Sequence, residues 1–239
     1  MSSYWERYWE GKTDGEHRYR TEDWFEKYAR ELLFHITSRR EKQGRQGVLI
    51  DIGCGAAELT VYYEPFFDKI YGVDFSSSML QAAQGRVDEF GSRSIQLVHG
   101  DAIDFAGKIS TADVIISTEV AQYLSEEQIC RHLNESLKIL NPKGLIIISG
   151  IIDPKKYSLW KIGYFREPKT PLLKLVSRLL FSQLTITRRK MLQRPTSNMG
   201  YSHQQETITA ICESKHLEVE FVNTLYFEYR YNALISRPT

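Results

Sequence analysis

The sequence predicts an α/β protein with a Rossmann-like, doubly wound sheet of seven strands, helices on both faces and a helical lid insertion. Short apolar runs alternate with helical patterns throughout residues 48–152, as expected for a parallel sheet whose crossovers are helices. Several of these runs end in glycine or aspartate, at the edge where such sheets bind ligands. A further helix and two strands within residues 201–239 complete the predicted architecture.

The predicted elements follow one another in a regular order. The strands are predicted at residues 48–53, 70–74, 95–99, 112–117, 145–152, 217–222 and 226–235. The helices are predicted from Thr21 onward and at residues 57–67, 76–86, 125–140, 171–184 and 203–215. Thr21, Ser76 and Ser125 stand where a helix N-cap accepts a backbone hydrogen bond.

The chain of 239 residues is predicted to form a single domain. Its predicted parts are an N-terminal helical cap at 1–43, a ligand-binding core at 48–152, a basic lid insertion at 153–200, and a C-terminal helix with strands at 201–239. Hydrophobic residues make up 42% of the chain and charged residues 26%, which is an ordinary globular composition. Whole-chain disorder and collagen-like structure are therefore excluded.

Cysteine usage and hydropathy predict a cytoplasmic protein. Cys54, Cys130 and Cys212 are far apart and form neither a disulfide framework nor a zinc-binding spacing, so no metal is expected. No apolar run approaches the roughly 18–20 residues of a membrane span. The first residues lack the basic and then apolar order of a secretory signal.

The charge of the chain is unevenly distributed. Residues 154–200 contain eleven lysines and arginines and one acidic residue, a net charge of +10, although the whole chain carries only +1. An apolar stripe within residues 171–184 lies among these charges and suits a mobile lid or a docking contact. Alternatively, the block is a solvated face of long side chains.

The basic block also bears on partners. It would attract an acidic or carrier-bound small-molecule substrate, and residues 154–194 could contact a carrier protein or an anionic membrane surface. No nucleic-acid-binding module is recognisable, and aromatic residues are sparse around Arg188, Arg189 and Lys190, so no nucleic-acid partner is expected. The sequence does not predict an oligomeric state.

A glycine-rich turn follows the first predicted strand, in the segment from Asp51 to Ala57. Its glycines, Gly53 and Gly55, allow a backbone to approach a ligand closely where a side chain would clash. A dinucleotide-binding turn would place a third glycine at Glu58, and a carboxylate there would repel a pyrophosphate. The turn therefore disfavours a nicotinamide-dependent dehydrogenase and favours a cationic ligand.

The same segment resembles the first motif of the class I S-adenosylmethionine-dependent methyltransferases, D-x-G-x-G-x-G, with Ala57 in place of the third glycine. Further motifs follow in order. They are Gly72–Leu80, where Asp74 ends the second strand, Gly100-Asp101-Ala102, Ala112–Leu124, and Leu140–Leu145, where Lys143 replaces a glycine. The resemblance covers residues 48–152 by motif, and residues 203–236 only in the order of elements.

The resemblance implies S-adenosylmethionine as the cofactor and S-adenosylhomocysteine as its product. It implies that Asp74 holds both ribose hydroxyls and that the Asp101 turn contacts the adenine. An N-terminal aromatic residue, Tyr19, is expected to close over the cofactor. The expected cofactor-binding residues are Asp51, Gly53, Cys54, Gly55, Asp74, Phe75, Met79, Asp101, Ala102, Glu119 and Tyr19.

The catalytic and substrate-binding candidates come from segments that line the methyl-transfer pocket in this family. Glu119 and His203 are the catalytic candidates, and the substrate-binding candidates are Gln122, Tyr123, His203 and Trp24. Each has a structural alternative. Glu119 and Gln122 could lie on a helix surface, Tyr123 and Trp24 could serve packing, and His203 could cap a helix. Likewise, Asp101 could be a turn residue and Asp74 an N-cap.

The predicted function is transfer of a methyl group from S-adenosylmethionine to O, N or C of a small molecule, in secondary-metabolite or quinone-like biosynthesis. One alternative is a catalytically silent scaffold or sensor, which would bind the cofactor without turnover. Another is a methyltransferase acting on a carrier-bound, protein or RNA substrate, which would label such material.

Overall fold

The computed structural model describes residues 12, 20–40, 44–162, 171–191 and 200–238. Its strands are β1 (Val48–Ile52), β2 (Lys69–Asp74), β3 (Ile95–His99), β4 (Ala112–Thr118), β5 (Leu140–Ile152), β6 (Glu218–Asn223) and β7 (Arg230–Ser236). Its α-helices are α1 (Glu22–Thr37), α2 (Ser77–Glu89), α3 (Glu126–Ile139), α4 (Pro154–Lys161), α5 (Leu172–Met191) and α6 (Gln205–Glu213).

The seven strands form one sheet in the order β3-β2-β1-β4-β5-β7-β6. Strands β1 to β5 are parallel, and β7 inserts antiparallel between β5 and β6. The order of the chain reverses between β1 and β4. In open sheets of this kind, such a switch point creates a crevice beyond the carboxyl ends of the strands. The predicted seven-stranded sheet is confirmed.

Helices cover both faces of this sheet because its central strands are apolar on both sides. Leu49, Val114 and Ile147 pack on the face that α1 covers. Their neighbours Ile50, Ile115, Ile146 and Ile148 point the other way and pack against α3 and α6. The alternation follows the two-residue period of a strand, which places successive side chains on opposite faces.

The three predicted N-caps are confirmed. The Thr21 and Ser76 hydroxyls accept hydrogen bonds from the backbone N–H groups of Trp24 and Met79. Ser125 and Gln128 form a reciprocal capping box at the start of α3. These three helices therefore begin within one residue of their predicted starts.

Two parts of the structure differ from the sequence-based expectation. Residues 57–67 do not form an α-helix. They make turns and then a 3₁₀ segment, Thr60–Phe66, which contains Pro65, a residue without the N–H that a continuing helix needs. In addition, a short helix, α4, follows β5 directly. Asp153 caps it by accepting hydrogen bonds from the N–H groups of Lys155 and Lys156.

The lid stays a prediction. The structure places α4 and α5 within residues 153–200, and α5 extends seven residues beyond the predicted end of its helix. Residues 163–170 and 192–199 lie outside the described part, as does most of the predicted cap before Arg20. No helix among the described residues is long and apolar enough to cross a bilayer.

Candidate functional site

The glycine turn after β1 is attached to the two neighbouring strands. The N–H groups of Gly53 and Cys54 both donate to the carbonyl of Val73 on β2, at 2.7 and 3.1 Å. Gly53 has φ +71°, and a Cβ there would lie 2.4 Å from Cγ2 of Val120, which follows β4. Only glycine accommodates both the positive φ and the close contact with Val120.

Asp74 ends β2 beside this turn and is buried. Its Oδ2 accepts a hydrogen bond from Gly55 N at 3.0 Å, and its Oδ1 accepts one from Ser76 N at 2.8 Å. Burial raises the pKa of this carboxyl, against the lowering effect of these backbone donors. A carboxylate has about four acceptor positions, so two remain for the hydroxyl groups of a ligand.

Asp51 lies within β1 and is also buried. It accepts a hydrogen bond from the Thr60 hydroxyl at 2.6 Å. Burial is the main cause that raises the pKa of Asp51 to about 6; the nearby carboxylates of Asp74 and Glu58 add to this rise, and the Thr60 hydroxyl opposes it. Three carboxyl groups therefore lie around one turn, an arrangement that attracts a cation.

The end of β3 contributes a second turn. Asp101 Oδ1 accepts from Ile103 N at 3.1 Å, which closes a turn of the kind that the structural alternative described. The neighbouring Ala102 is buried, and its carbonyl accepts from His132 Nδ1 at 2.7 Å. Met79 is buried at the start of α2. These residues follow adjacent strands, β2 and β3, and so lie along the same edge as the glycine turn.

Cys54 acts through its backbone rather than its thiol. The side chain is buried, and burial raises the pKa of the thiol well above its ordinary value, with Asp74 and Asp51 adding to the effect. A protonated, buried thiol is a small apolar group and not a nucleophile. Its Sγ lies where a Cβ on Gly72 would contact it.

Glu119 follows β4 on the other side of the switch point. It is a non-glycine residue with φ +57°, a conformation that costs energy and directs the side chain across the end of β5. Glu119 Oε1 pairs with Arg20 Nη2 at 2.8 Å, and Oε2 lies 3.9 Å from Arg230 Nη2. Glu119 is therefore held between two guanidinium groups and does not lie on a helix surface.

Arg230, at the start of β7, is fully buried. Its Nη1 donates to the carbonyl of Gly150 at 2.6 Å, and its Nη2 donates to Gln122 Oε1 at 3.1 Å. Burial alone would lower the pKa of this guanidinium, but the Glu119 carboxylate raises it, so Arg230 stays charged. The described residues offer Arg230 Nε no hydrogen-bond partner.

Aromatic rings surround the two guanidinium groups. Arg20 lies 4.3 Å from the ring centroid of Trp24 and 5.3 Å from that of Phe227. Arg230 lies 5.2 Å from Phe227 and 5.5 Å from Tyr229. Phe227 therefore stands between two cations, and Trp24 belongs to this cluster rather than to the core alone.

His203 and Gln122 connect the segments that follow β4 and β5. His203 is buried, its Nε2 donates to the carbonyl of Ala121 at 3.1 Å, and its N–H donates to Ile152 at 2.9 Å. Burial lowers the pKa of His203, so the imidazole is neutral at pH 7. Tyr123 is partly buried in the same 3₁₀ segment as Gln122.

The structure thus groups the predicted residues into two adjoining halves. We name these halves by the roles expected of them: the cofactor half contains the glycine turn with Asp51, Asp74 and the Asp101 turn. The acceptor half contains Glu119, Gln122, Tyr123, His203 and Trp24. Tyr19 lies outside the described residues, and no group of three or more metal-ligating side chains that could hold an ion occurs within the described ranges.

Sequence reasoning missed Arg20 and Arg230. A signal for Arg230 exists, because Arg230 and Asn232 alternate in an otherwise apolar strand and both are buried. Polar residues two apart in such a strand point to the same face, which indicates a buried polar network on that face. Asn232 indeed accepts from Ser149 Oγ and from Gly150 N. No comparable signal marks Arg20.

Comparison of sequences finds methyltransferases. Residues 49–144 match a family model described as a methyltransferase domain. A probable S-adenosylmethionine-dependent methyltransferase from Saccharomyces cerevisiae is 28% identical over 98 residues, 40% of this chain and 34% of that protein. Demethylmenaquinone methyltransferase from Geobacillus is 24% identical over 143 residues, 55% of this chain and 58% of that enzyme. The chain thus matches less than two thirds of either relative.

Comparison of structures finds the same fold over nearly the whole chain. An S-adenosylmethionine-dependent methyltransferase from Clostridium acetobutylicum superposes with a TM-score of 0.64 at 13% identity, covering 90% of this chain and 92% of the other. Magnesium protoporphyrin IX methyltransferase from Synechocystis, with bound S-adenosylhomocysteine, gives 0.61 at 15% identity, covering 98% and 92%. Identities this low show the fold alone.

The residues of the cofactor half fit S-adenosylmethionine. The free acceptor positions of Asp74 suit two ribose hydroxyls, and the carboxyl groups around Asp51 suit a ligand with cationic groups. The glycine turn leaves room for a ligand's close approach. The motif order, the matching domain and the sheet topology agree with this fit. Residues 49–144 are thus similar to a methyltransferase domain, and the fold is similar to that of S-adenosylmethionine-dependent methyltransferases.

Proposed function

We propose that this protein transfers a methyl group from S-adenosylmethionine to O, N or C of an acidic small molecule. The observation that carries this proposal is the meeting of two buried carboxyl groups, Asp51 and Asp74, at a glycine turn on the switch point of the sheet. The bound cofactor would supply an electrophilic methyl group on a sulfonium. The chain's own residues would bind, orient and shield the two reactants.

In the proposed cofactor half, each side chain has a separate role. Asp74 would accept the ribose hydroxyls through the oxygen lone pairs that Gly55 and Ser76 leave free. The Asp101 turn and Met79 would border the adenine. Asp51 would favour the cationic methionyl end. Methyl transfer needs little acid–base chemistry, so precise alignment of acceptor and methyl group would supply most of the rate enhancement.

The acceptor half supports an acidic acceptor. Arg20, Arg230 and Glu119 together carry a net charge of +1, and their side chains are only 18%, 2% and 12% exposed. Arg230 Nε has no partner among the described residues, and a buried donor without a partner is costly unless a ligand satisfies it. Aromatic rings beside the guanidinium groups would suit a planar acceptor.

The names of two similar proteins support a small-molecule acceptor, but they do not identify the acceptor of this chain. The Geobacillus relative is a demethylmenaquinone methyltransferase, and the Synechocystis structure is a magnesium protoporphyrin IX methyltransferase. Both names specify a ring-containing small molecule. For the present chain, quinone-like or secondary-metabolite biosynthesis is therefore the proposed setting.

His203 is the proposed proton acceptor when the acceptor atom must lose a proton. Its Nε2 faces the Ala121 carbonyl, so Nε2 carries the hydrogen and Nδ1 the lone pair. The described residues leave Nδ1 without a partner. Replacing His203 by Gln, which keeps a donor to Ala121, should lower kcat and remove the acidic limb of the pH–rate profile. A profile of unchanged shape would assign His203 to structure alone.

The first experiment is calorimetric titration with S-adenosylmethionine and, separately, with S-adenosylhomocysteine. We expect micromolar binding of both. A screen of acidic and phenolic acceptors with methyl-labelled cofactor then tests turnover. Binding without turnover on any small molecule, protein or RNA would favour the silent scaffold, and absence of binding would contradict the proposed site.

A further inference from the structure

Helix α5 exposes an unusual number of large apolar side chains. Leu173 is 86% exposed, Leu184 is 70% exposed and Met191 is 81% exposed. The exposed apolar residues of this helix are Leu173, Val176, Leu180, Phe181, Leu184 and Met191. Elsewhere in the described chain, exposed large hydrophobic residues occur singly, and single ones need no explanation.

These side chains form one stripe, which Thr187 interrupts between Leu184 and Met191. At 3.6 residues per turn, Leu173, Val176, Leu180, Leu184 and Met191 fall within an arc of about 80°, and the stripe is about 27 Å long. Phe181 borders it. The stripe is not the side that packs on the rest of the protein, because the half-buried residues of the helix, such as Leu175 and Leu179, lie on a different side.

The charged residues of this helix are all cationic. The helix contains five basic residues and no acidic one. Lys174 and Arg188 lie on the side of the stripe that Phe181 occupies, as their helical positions show, whereas Arg178 donates to the carbonyl of Ile162 at 2.9 Å. An apolar side bordered by lysine and arginine is the composition of a helix that lies in the surface of an anionic bilayer, with its apolar side among the acyl chains.

The polar side chains of α5 argue against a protein as the occupant. Specific protein interfaces carry roughly one hydrogen bond per 100–200 Å². Two hydroxyls of α5 are already engaged within the helix, because Ser177 Oγ donates to the carbonyl of Lys174 and Thr185 Oγ1 donates to the carbonyl of Phe181. A fluid bilayer surface requires no such directional bonds and accommodates a long, straight stripe.

We propose that α5 docks this protein on the surface of an anionic lipid bilayer. The apolar stripe enters the boundary between headgroups and acyl chains, and the flanking cations contact the headgroup phosphates. Helix α4, with Lys155, Lys156 and Lys161, adds basic charge in the segment that precedes α5. The proposal rests on α5 alone and does not depend on the proposed reaction.

The test is flotation of the full chain with vesicles of phosphatidylcholine containing phosphatidylglycerol, compared with vesicles of phosphatidylcholine alone. We expect binding to the anionic vesicles, weakening as salt is added. Replacing Leu180 and Leu184 together by Asp should weaken binding at least about tenfold. Phe34→Asp is the matched control, because Phe34 is similarly exposed on α1 and far from α5 in sequence, and it should leave vesicle binding unchanged.

A second variant tests the charges without touching the stripe. Lys174→Gln with Arg188→Gln should weaken anionic-vesicle binding about tenfold, with Lys143→Gln as the exposed control. Absence of vesicle binding, or equal binding to neutral vesicles, would overturn the proposal. If sedimentation shows a dimer and Leu184→Asp converts it to a monomer, the stripe binds a second copy of the chain. That result would also overturn the proposal. Circular dichroism melts establish that each variant is folded.

Discussion

The two halves of the site are built in different ways, although they share one edge of one sheet. In the cofactor half, Asp74 is held by backbone N–H groups 2 and 19 residues away. In the acceptor half, Glu119 pairs with an arginine 99 residues earlier, and Gln122 with one 108 residues later. Local backbone therefore positions the cofactor groups, whereas distant side chains position the acceptor groups. We therefore expect substitutions of the distant side chains to affect the acceptor half more than the cofactor half.

The largest expected effect concerns the acceptor half, which distant side chains position. Replacing Arg230 by Met should lower the free energy of unfolding by about 3 to 5 kcal/mol, because Glu119 and Gln122 lose a buried partner. Urea unfolding measures it. Arg39→Met is the control, since Arg39 forms an exposed pair with Glu220, worth at most about 1 kcal/mol. Equal losses in the two variants would remove the distinction between the halves.

The next effect concerns the cofactor half, where backbone N–H groups hold Asp74. Asp74→Asn should weaken binding of both S-adenosylmethionine and S-adenosylhomocysteine about 100-fold, roughly 2.7 kcal/mol, because an amide cannot accept two hydroxyls and two backbone donors. Calorimetry measures it. Asp88→Asn removes the same charge from the exposed face of α2 and should bind normally. Unchanged affinity in Asp74→Asn would contradict the assignment of the ribose site.

A third variant separates conformation from contact in the glycine turn. Gly53→Ala should destabilise the protein by more than about 2 kcal/mol, because the new Cβ meets Val120 in addition to the cost of a positive φ. Gly91 has a similar φ of +65° with open space around it, so Gly91→Ala should lose only about 1 kcal/mol. Thermal melts compare the two. Similar losses of stability in the two variants would show that the Val120 side chain moves aside to accommodate the new Cβ.

The smallest expected effect is one of pH. Burial raises the pKa of Asp51 to about 6, so its carboxyl is mostly neutral at pH 5 and ionised at pH 7. A ligand with cationic groups favours the ionised form, so affinity for S-adenosylmethionine should fall about tenfold from pH 7 to pH 5. Asp51→Asn should bind more weakly and lose this step. If Asp51→Asn shows the same fall in affinity between pH 7 and pH 5, another titrating group causes the fall.

The same contrast explains what could be predicted from the sequence. A motif reports Asp51, Gly53 and Asp74 because they stand in or next to short turns, although the contact with Val120 after β4 also requires the glycine at position 53. The N-caps Ser76 and Ser125 are local in the same sense. Arg20 and Arg230 reach the site only because α1 and β7 pack there, and no short pattern encodes that meeting.

Two local interpretations were also limited by physical detail. The apolar period of residues 57–67 predicted a helix, but Pro65 and the positive φ of Ala57 favour turns and a 3₁₀ segment. His203 carried the alternative of a helix cap. The structure instead buries it between the ends of β4 and β5, because β7 brings Tyr231, whose hydroxyl donates to the His203 carbonyl at 3.0 Å.

The position of β7 has a consequence for the order of events in folding. This strand comes after all the others in the chain, yet it lies inside the sheet, and β6 reaches the sheet only through it. Its partner β5 precedes it by about 80 residues, and such distant pairings form slowly. On a ribosome, strands β1 to β5 emerge well before Arg230 does. We expect a nascent chain to form the glycine turn and its neighbouring strands first and to complete the surroundings of Arg230 last.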